Sequence, residues 1–308
     1  MPNGQRIVIT GATGLIGRVL IEQLSRRGDH VTALVRDVER GRAQAPGAAD
    51  YIAWSSSMAD GPWVDAIDGA DAVINMAGTS VATRWTPEQK QRIRASRIDG
   101  TRNIIAAMKA AARRPRTLIN ASAVGYYGTS LSATFTERSG PGDGFLADIC
   151  AAWEAEALTA EALGVRVVLL RTGVVLEPHG GVLAQVVPTF KMFAGGPLGS
   201  GKQWFPWIHI DDEVGITLWA LDNEQVSGAI NAVAPEKITY KQFSTALGDT
   251  LGRPSFFPVP KFILDMVLGE ASMIVVEGQR VVPERAIALG YNFRHREIGE
   301  ALRDLIAA

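Results

Sequence analysis

The segment Arg6-Ile-Val-Ile-Thr-Gly-Ala-Thr-Gly-Leu-Ile-Gly17 constrains the fold more than any other stretch of the chain: a short apolar strand runs straight into glycines at 11, 14 and 17. Ile7, Val8 and Ile9 read as a strand covered on both faces, as in a parallel sheet. Gly11 permits the tight turn that leaves the strand. Gly14 lets backbone N–H groups approach a pyrophosphate with no Cβ between, and Gly17 lets the next helix pack close to the sheet. That helix, about 15–27, aims its partial positive N-terminus at the phosphates. Thr13, Leu15 and Ile16 belong to the same turn and share its expected role as a dinucleotide cradle. Strand before and helix after make the triplet far more specific than three glycines alone.

Strand and helix patterns go on alternating through about residue 175. Strands are expected at 31–35, 51–54, 72–75, 117–121 and 165–170, and helices at 87–112 and 145–163. This alternation predicts an α/β fold: a Rossmann-type doubly wound parallel sheet that binds its ligand at the carboxyl ends of the strands, with a smaller C-terminal substrate lobe. The expected division is a nucleotide domain over 1–176, with contributions from about 208–235, and a substrate lobe with a small helical terminal domain over 177–308. In that second part, 207–212 reads as a strand leading into a helix capped by Asp211 or Asp212, and 239–251 as a helix capped by Thr239. Pro283 is expected to open a further helix. Ile274 to Val276 with Val281 and Val282 are expected to form a small core, and Phe256, Phe257 and 262–268 to be core as well, a partner-binding face being the alternative.

A net charge of −1 favours neither nucleic acid nor an anionic membrane as partner. The single Cys150 excludes an intrachain disulfide framework and implies a reducing compartment. No charged-then-apolar leader precedes the first strand, and the longest apolar run, 165–170, is too short to span a bilayer, so the cytoplasm is expected. The oligomeric state is not legible. No grouping of His, Cys and carboxylates has metal-ligand spacing, and no metal is expected.

Several motifs stand in a familiar order: Gly11-x-x-Gly14-x-x-Gly17, Asn75-Met-Ala-Gly78, the segment from Ser122 to Gly128, Arg171-Thr-Gly-Val and Ile208-His-Ile-Asp-Asp212. Together they resemble the extended short-chain dehydrogenase/reductase superfamily. Arg84-Trp85, Gly125-Tyr-Tyr-Gly128, the stretches 171–176, 195–201 and 205–210, Gly278-Gln-Arg280 and Gly290-Tyr-Asn-Phe293 narrow this to the "epimerase family protein" branch, whose members carry a C-terminal domain of unknown function. The resemblance implies that Met76, Ala77 and Gly78 close the fourth strand against the nucleotide, that Arg97 contacts it, and that Thr172, Gly173 and Val175 line the nicotinamide.

Cofactor choice turns on the end of the second strand. An acid there selects the ribose hydroxyls of NAD, whereas Val35 is followed by Arg36, whose planar guanidinium suits the 2′-phosphate of NADP(H). Asp37, one residue on, offers the opposite reading.

The reaction centre is where the family pattern breaks. Most relatives use a Ser with a Tyr-x-x-x-Lys pair, the lysine lowering the tyrosine pKa. The corresponding helix, 142–154, holds neither tyrosine nor lysine. Aligning Glu154 with the later acid of that helix puts Leu146 at the tyrosine; aligning Asp148 with the lysine puts Gly144 there. Ala123 falls at the serine position, with Ser122 one residue early. Ser122 and Tyr127 are the expected proton donors, and Tyr126, Asp148, His209, Lys202 and Trp204 are the remaining polar or aromatic candidates. The expected function is an NADP(H)-binding oxidoreductase or epimerase-like enzyme acting on an unidentified small molecule. The alternative is a catalytically degenerate NADP(H)-binding regulatory or scaffold protein, a role hinted at by the association of some family members with cell or organelle division.

Overall fold

The computed structural model describes residues 4–307, so the expected limits at 1 and 308 lie outside the described residues. Eleven strands are described. They are β1 (Arg6–Thr10), β2 (His30–Val35), β3 (Asp50–Ala53), β4 (Ala72–Asn75), β5 (Thr117–Ala123), β6 (Thr134–Phe135), β7 (Arg166–Thr172), β8 (Val174–Glu177), β9 (Trp207–His209), β10 (Gly228–Ala232) and β11 (Arg280–Val281). Seven of them form one parallel sheet in the order β3-β2-β1-β4-β5-β7-β10. The order reverses direction between β1 and β4, the switch point at which doubly wound sheets take their ligands. Two two-stranded pairs, β8 with β9 and β6 with β11, carry the chain above the carboxyl edge.

Alternation along each strand supplies both layers of core. Ile7 and Ile9 face one side with Leu20, Leu24, Ile119, Leu170 and Ile216; Val8 faces the other with Leu34, Trp63, Ile104, Leu118 and Val167. Each such fully buried side chain contributes about 1.5–3 kcal/mol. The helix Leu15–Arg26 covers the first face, and Pro87–Ala110 covers the second. The latter starts where Thr86 accepts the Gln89 N–H, with Pro87 in the first turn.

β10 was not read from the sequence as a strand of its own, because Gly-Ala-Ile-Asn-Ala offers a single β-branched residue. The helix after β9 runs Ile210–Asp222 and is capped by neither aspartate: His209 Nδ1 accepts the Asp211 N–H at 3.0 Å. Asp212 instead accepts the Tyr291 hydroxyl and the N–H groups of Arg294 and His295, tying the terminal segment down. Thr239 caps Tyr240–Leu251 with a full capping box, and Pro283 immediately precedes Glu284–Ala288.

The expected aromatic core of the second half is not core. Phe256 is 70% exposed and Phe262 65%, and the helix Lys261–Leu268 has no buried residue. The backbone explains it. Phe257 N–H donates to the Gly195 carbonyl, and Gly196 presses against the Phe257 main chain with no room for a Cβ, so the backbone faces the protein and the rings face out. Ile274 to Val276 are half-buried, and only Val281 of the expected small core is buried.

Candidate functional site

The first glycine turn closes as its sequence demands. Gly11 has φ +70°, and a Cβ on it would stand 2.7 Å from the Met76 carbonyl. Gly14 precedes the helix and is exposed, its own Cβ position meeting only the Gly11 oxygen at 3.1 Å. Its outer face is open to a ligand. A Cβ on Gly17 would collide with the Gly11 oxygen and Ala12, so Gly17 serves the turn itself as much as helix-to-sheet packing. Thr13 and Ile16 are half-buried at its rim, and Leu15 lies against Gly180.

Beside this turn, a buried polar ladder pins three strand ends. The Thr10 hydroxyl donates to Asn75 Oδ1 (2.7 Å) and accepts the Met76 and Ala77 N–H groups. Asn75 donates to Thr101 Oγ1 and to Asn120 Oδ1, and Trp153 Nε1 also reaches Thr101. Met76, Ala77 and the exposed Gly78 are thus held with their outer faces toward the carboxyl edge. Sequence reasoning missed Thr10, Thr101 and Asn120; the available signal was a polar residue at the end of β1 and within β5, while Thr101 lies in the helix Pro87–Ala110 and gave none.

At the end of β2, Arg36 is exposed and Asp37 is already engaged, its carboxylate accepting the Arg40 N–H as cap of Val38–Gln44. Arg97 reaches back from the helix Pro87–Ala110, donating to the carbonyls of Thr79 and Ile93 and lying over the Trp153 ring at 5.2 Å. Burial lowers its pKa, and among the described residues no carboxylate pairs with it. Thr172 and Val175 are half-buried above the sheet, and Gly173 lets the chain pass the Pro206 carbonyl. The Thr172 hydroxyl donates to Glu213 Oε1 at 2.9 Å. Glu213 is fully buried, its Oε2 has no partner, and burial pushes its pKa up to about 8.

The reaction end is different. Ser122 donates to Glu154 Oε1 at 2.6 Å. Glu154 holds Arg171 through two bonds, Nε to Oε1 at 2.8 Å and Nη2 to Oε2 at 2.7 Å. Arg171 Nη1 donates to the Tyr127 hydroxyl, which donates to Asn231 Oδ1 at 2.6 Å. Burial opposes the charge on Arg171, but the Glu154 bonds overcome it and raise its pKa. Burial likewise pushes the Tyr127 phenol up to about 12 against the pull of Arg171. Ser122 is 4% exposed and Tyr127 2%. The two expected proton donors thus have their hydroxyls buried and bonded within the protein. Ser122 sits one register position from Ala123, so its side chain takes the helix side of the sheet.

Two side chains of the helix Phe145–Leu158 approach the end of β5. A Cβ on Gly125 would stand 3.4 Å from Leu146 Cβ and 3.9 Å from Cys150 Sγ. Leu146 and Cys150, four residues apart, thus face the end of β5. Burial pushes the Cys150 thiol up to about 11 in spite of Arg97. Asp148, on the same helix, is exposed, as is Lys202. Tyr126 is half-buried, with the Arg171 guanidinium 3.5 Å from its ring centroid, and Trp204 Nε1 is bonded to the Leu131 carbonyl.

His209, Asp211 and His295 bring three potential metal ligands within 4.8 Å of one another. Their chemistry does not suit a metal. His209 Nδ1 accepts a backbone N–H, so its Nε2 carries the proton and offers no lone pair. The two rings instead stack at 3.6 Å, and burial followed by the neighbouring His295 lowers the His209 pKa.

A glycine turn at a sheet switch point, beside an exposed strand-end arginine, defines a Rossmann-fold dinucleotide-binding protein. Residues 7–233 match the NAD dependent epimerase/dehydratase family, and residues 259–305 match a domain of unknown function (DUF1731). The chain belongs to that epimerase/dehydratase family and to its branch of "epimerase family" proteins. It is 43% identical to the chloroplastic epimerase family protein SDR39U1 homolog of Arabidopsis thaliana, over 97% of this chain and 86% of that one. It is 39% identical to YfhF of Bacillus subtilis, over 98% of each. The crystal structure of human epimerase family protein SDR39U1 with NADPH superposes with a TM-score of 0.88 at 33% identity, covering 98% of this chain and 99% of that one. No helix among the described residues is long and apolar enough to cross a membrane.

Proposed function

We propose that this protein binds NADP(H) and serves as a reductase or epimerase-like enzyme on a small molecule, without a Tyr–Lys proton relay. One observation carries the cofactor choice: Asp37 is committed to capping a helix, while Arg36 stands exposed at the strand end. The glycine turn fits a dinucleotide, since Gly11 and Gly17 have no space for a Cβ and Gly14 is open outward. The residues 11–17 would cradle the pyrophosphate, Arg36 the 2′-phosphate, and Met76 to Gly78, Arg97, Thr172, Gly173 and Val175 the remainder. When bound, the nicotinamide supplies a hydride donor or acceptor. The human relative solved with NADPH supports this reading.

Titration calorimetry tests it. NADPH should bind more tightly than NADH, and Arg36→Ala should remove most of the difference. A charge-assisted phosphate contact contributes about 1.5–3 kcal/mol, so the loss is about ten- to a hundredfold. Equal affinities in the unaltered protein would reject the choice of NADP(H).

The internal satisfaction of Ser122 and Tyr127 favours a second reading, a nucleotide-binding regulatory or scaffold protein. Tight NADPH binding with no turnover on any acceptor would move the conclusion to it.

A further inference from the structure

Resting on the reading that the cleft uses NADPH, we propose that the substrate is a flat, apolar, electron-poor conjugated carbonyl compound of the quinone class, rather than a sugar nucleotide or a simple aldehyde. Reducing an unconjugated carbonyl produces an alkoxide, too basic to form unless a positioned acid delivers a proton in the same step. No such acid is open to a substrate among the described residues: Glu213 is fully buried behind Thr172, whose hydroxyl it accepts. Ala123 presents a methyl group where relatives carry the serine. Leu146 and Cys150 face the end of β5 across Gly125, and neither register of the helix 142–154 offers a tyrosine or a lysine. Ser122 and Tyr127 are buried and bonded to Glu154, Asn231 and Arg171.

What remains is an apolar wall and one cation without a carboxylate partner; Lys90, 4.9 Å over the Phe145 ring, is neutralised by Glu270. Val81, Trp85, Phe145, Leu146, Met273 and Ile274 form a single cluster joining the loop after β4, the helix Phe145–Leu158 and the terminal domain. Trp85 and Phe145 meet edge to face at 4.8 Å. Trp85 is buried, and the other five are half-buried and keep part of their surface open; an apolar face of that kind suits a ring with an apolar skeleton and gives nothing to a diphosphate. Arg97 lies beside Gly78, where a Cβ would come within 3.0 Å of its guanidinium carbon, and no carboxylate among the described residues neutralises it. Its field favours a substrate that becomes negative.

A quinone meets both conditions. It gains a hydride from NADPH: the C4–H bond of the dihydronicotinamide breaks, its electron pair forms one O–H bond on the quinone, and NADP+ is left. The second oxygen of the two-electron-reduced ring becomes a phenolate whose charge is delocalised, so water can supply the last proton after transfer. No side-chain acid is needed.

The experiment uses duroquinone, whose four methyl groups block addition of thiols. Protein saturated with NADP+ is titrated with duroquinone and, separately, with UDP-glucose, following tryptophan fluorescence, since Trp85 belongs to the apolar cluster and Trp153 lies under Arg97. Saturable quenching by duroquinone is expected, with UDP-glucose binding at least about 100-fold more weakly. Leu146→Asp should weaken duroquinone at least about tenfold; if that variant fails to fold, Val81→Asp on the facing loop takes its place. With NADPH, duroquinone reduction should be level from pH 6 to 9 and benzaldehyde should not be reduced, as expected when no side chain delivers a proton. Tighter binding of UDP-glucose, absence of saturable quenching, no loss of duroquinone affinity in the folded variant, equal reduction of benzaldehyde, or a pH-dependent rate would each overturn the proposal. NADPH affinity, measured alongside, separates the failures. If NADPH does not bind, the cofactor reading falls and this one with it; if it binds and duroquinone does not, only the substrate class is wrong.

Discussion

The two ends of one sheet edge solve opposite problems. At the nucleotide end, the glycine turn, Arg36 and Gly78 leave backbone and charge open to the outside. At the reaction end, Ser122, Glu154, Arg171, Tyr127 and Asn231 bond one another in a closed chain linking β5, β7 and β10 to the helix Phe145–Leu158. The lesson is that polar residues near a family's catalytic position are not thereby catalytic. A buried pair such as Glu154 with Arg171 holds elements in register, and what marks a binding end is the group left without a partner. If this contrast is right, substitutions at the reaction end change stability and leave the nucleotide alone, and substitutions at the nucleotide end do the reverse.

The largest expected effect is that of Glu154→Ala. It strands the Arg171 guanidinium, 4% exposed, with a single tyrosine hydroxyl as its close partner. Breaking a buried pair from one side costs about 3–5 kcal/mol. Urea unfolding should show that loss, while the folded fraction binds NADPH as before. A stability change under about 1 kcal/mol would mean the pair is more solvated than its burial indicates.

Gly14→Val probes the other end. Its Cβ would meet the Gly11 oxygen at 3.1 Å, so the turn yields by a few tenths of an ångström and the fold persists. The branched side chain then occupies the outer face. NADPH affinity should fall at least about 100-fold, about 2.8 kcal/mol, with the melting temperature close to its original value. Unchanged binding by calorimetry would show that the glycines serve the turn only.

Glu213 sharpens the contrast because it is the reaction end's imperfectly satisfied acid. Its folded pKa, about 8, lies above the ordinary value of 4.5. Below 4.5 both folded and unfolded chains are protonated. Between there and about 8 the unfolded chain has released the proton and the folded one keeps it. Stability from this group is therefore fully present at low pH and lost as pH rises to about 8, at up to about 1.4 kcal/mol per pH unit. Glu213→Gln should remove that slope from a series of denaturation curves between pH 5 and 8. A slope identical in the variant would assign the pH dependence elsewhere.

How much of this was legible in the sequence follows the same division. Local rules carried the first half. Strand, glycine turn and helix appear where residues 6–26 placed them, and β4 matches its expected span of 72–75. These depend on neighbours a few residues away. The role of Arg36 was open until Asp37 was seen to cap a helix. Ser122 and Tyr127 could not be settled from sequence, because their partners, Glu154 and Asn231, lie 32 and 104 residues away. The exposure of Phe256 and Phe257 has a related reason: hydropathy reports that a ring prefers burial, whereas the Gly195–Phe257 backbone contact turns the main chain of that segment toward the protein.

The smallest change is the most direct test of the contrast. Ser122→Ala removes one hydrogen bond to Glu154, whose two oxygens remain bonded to Arg171. The carboxylate is left paired and no donor is orphaned, so the cost is about 1 kcal/mol, the net contribution of one hydrogen bond. A proton donor in the reaction would behave otherwise. Removing a positioned acid lowers turnover by about 10²–10⁴-fold and leaves folding nearly untouched. The two roles therefore separate in one variant. A modest fall in the urea midpoint, with NADPH affinity and duroquinone reduction within about twofold of the original, is expected of a hydroxyl that holds Glu154 in place. A hundredfold loss of turnover with unchanged stability would return Ser122 to the reaction and erase the distinction between the two ends.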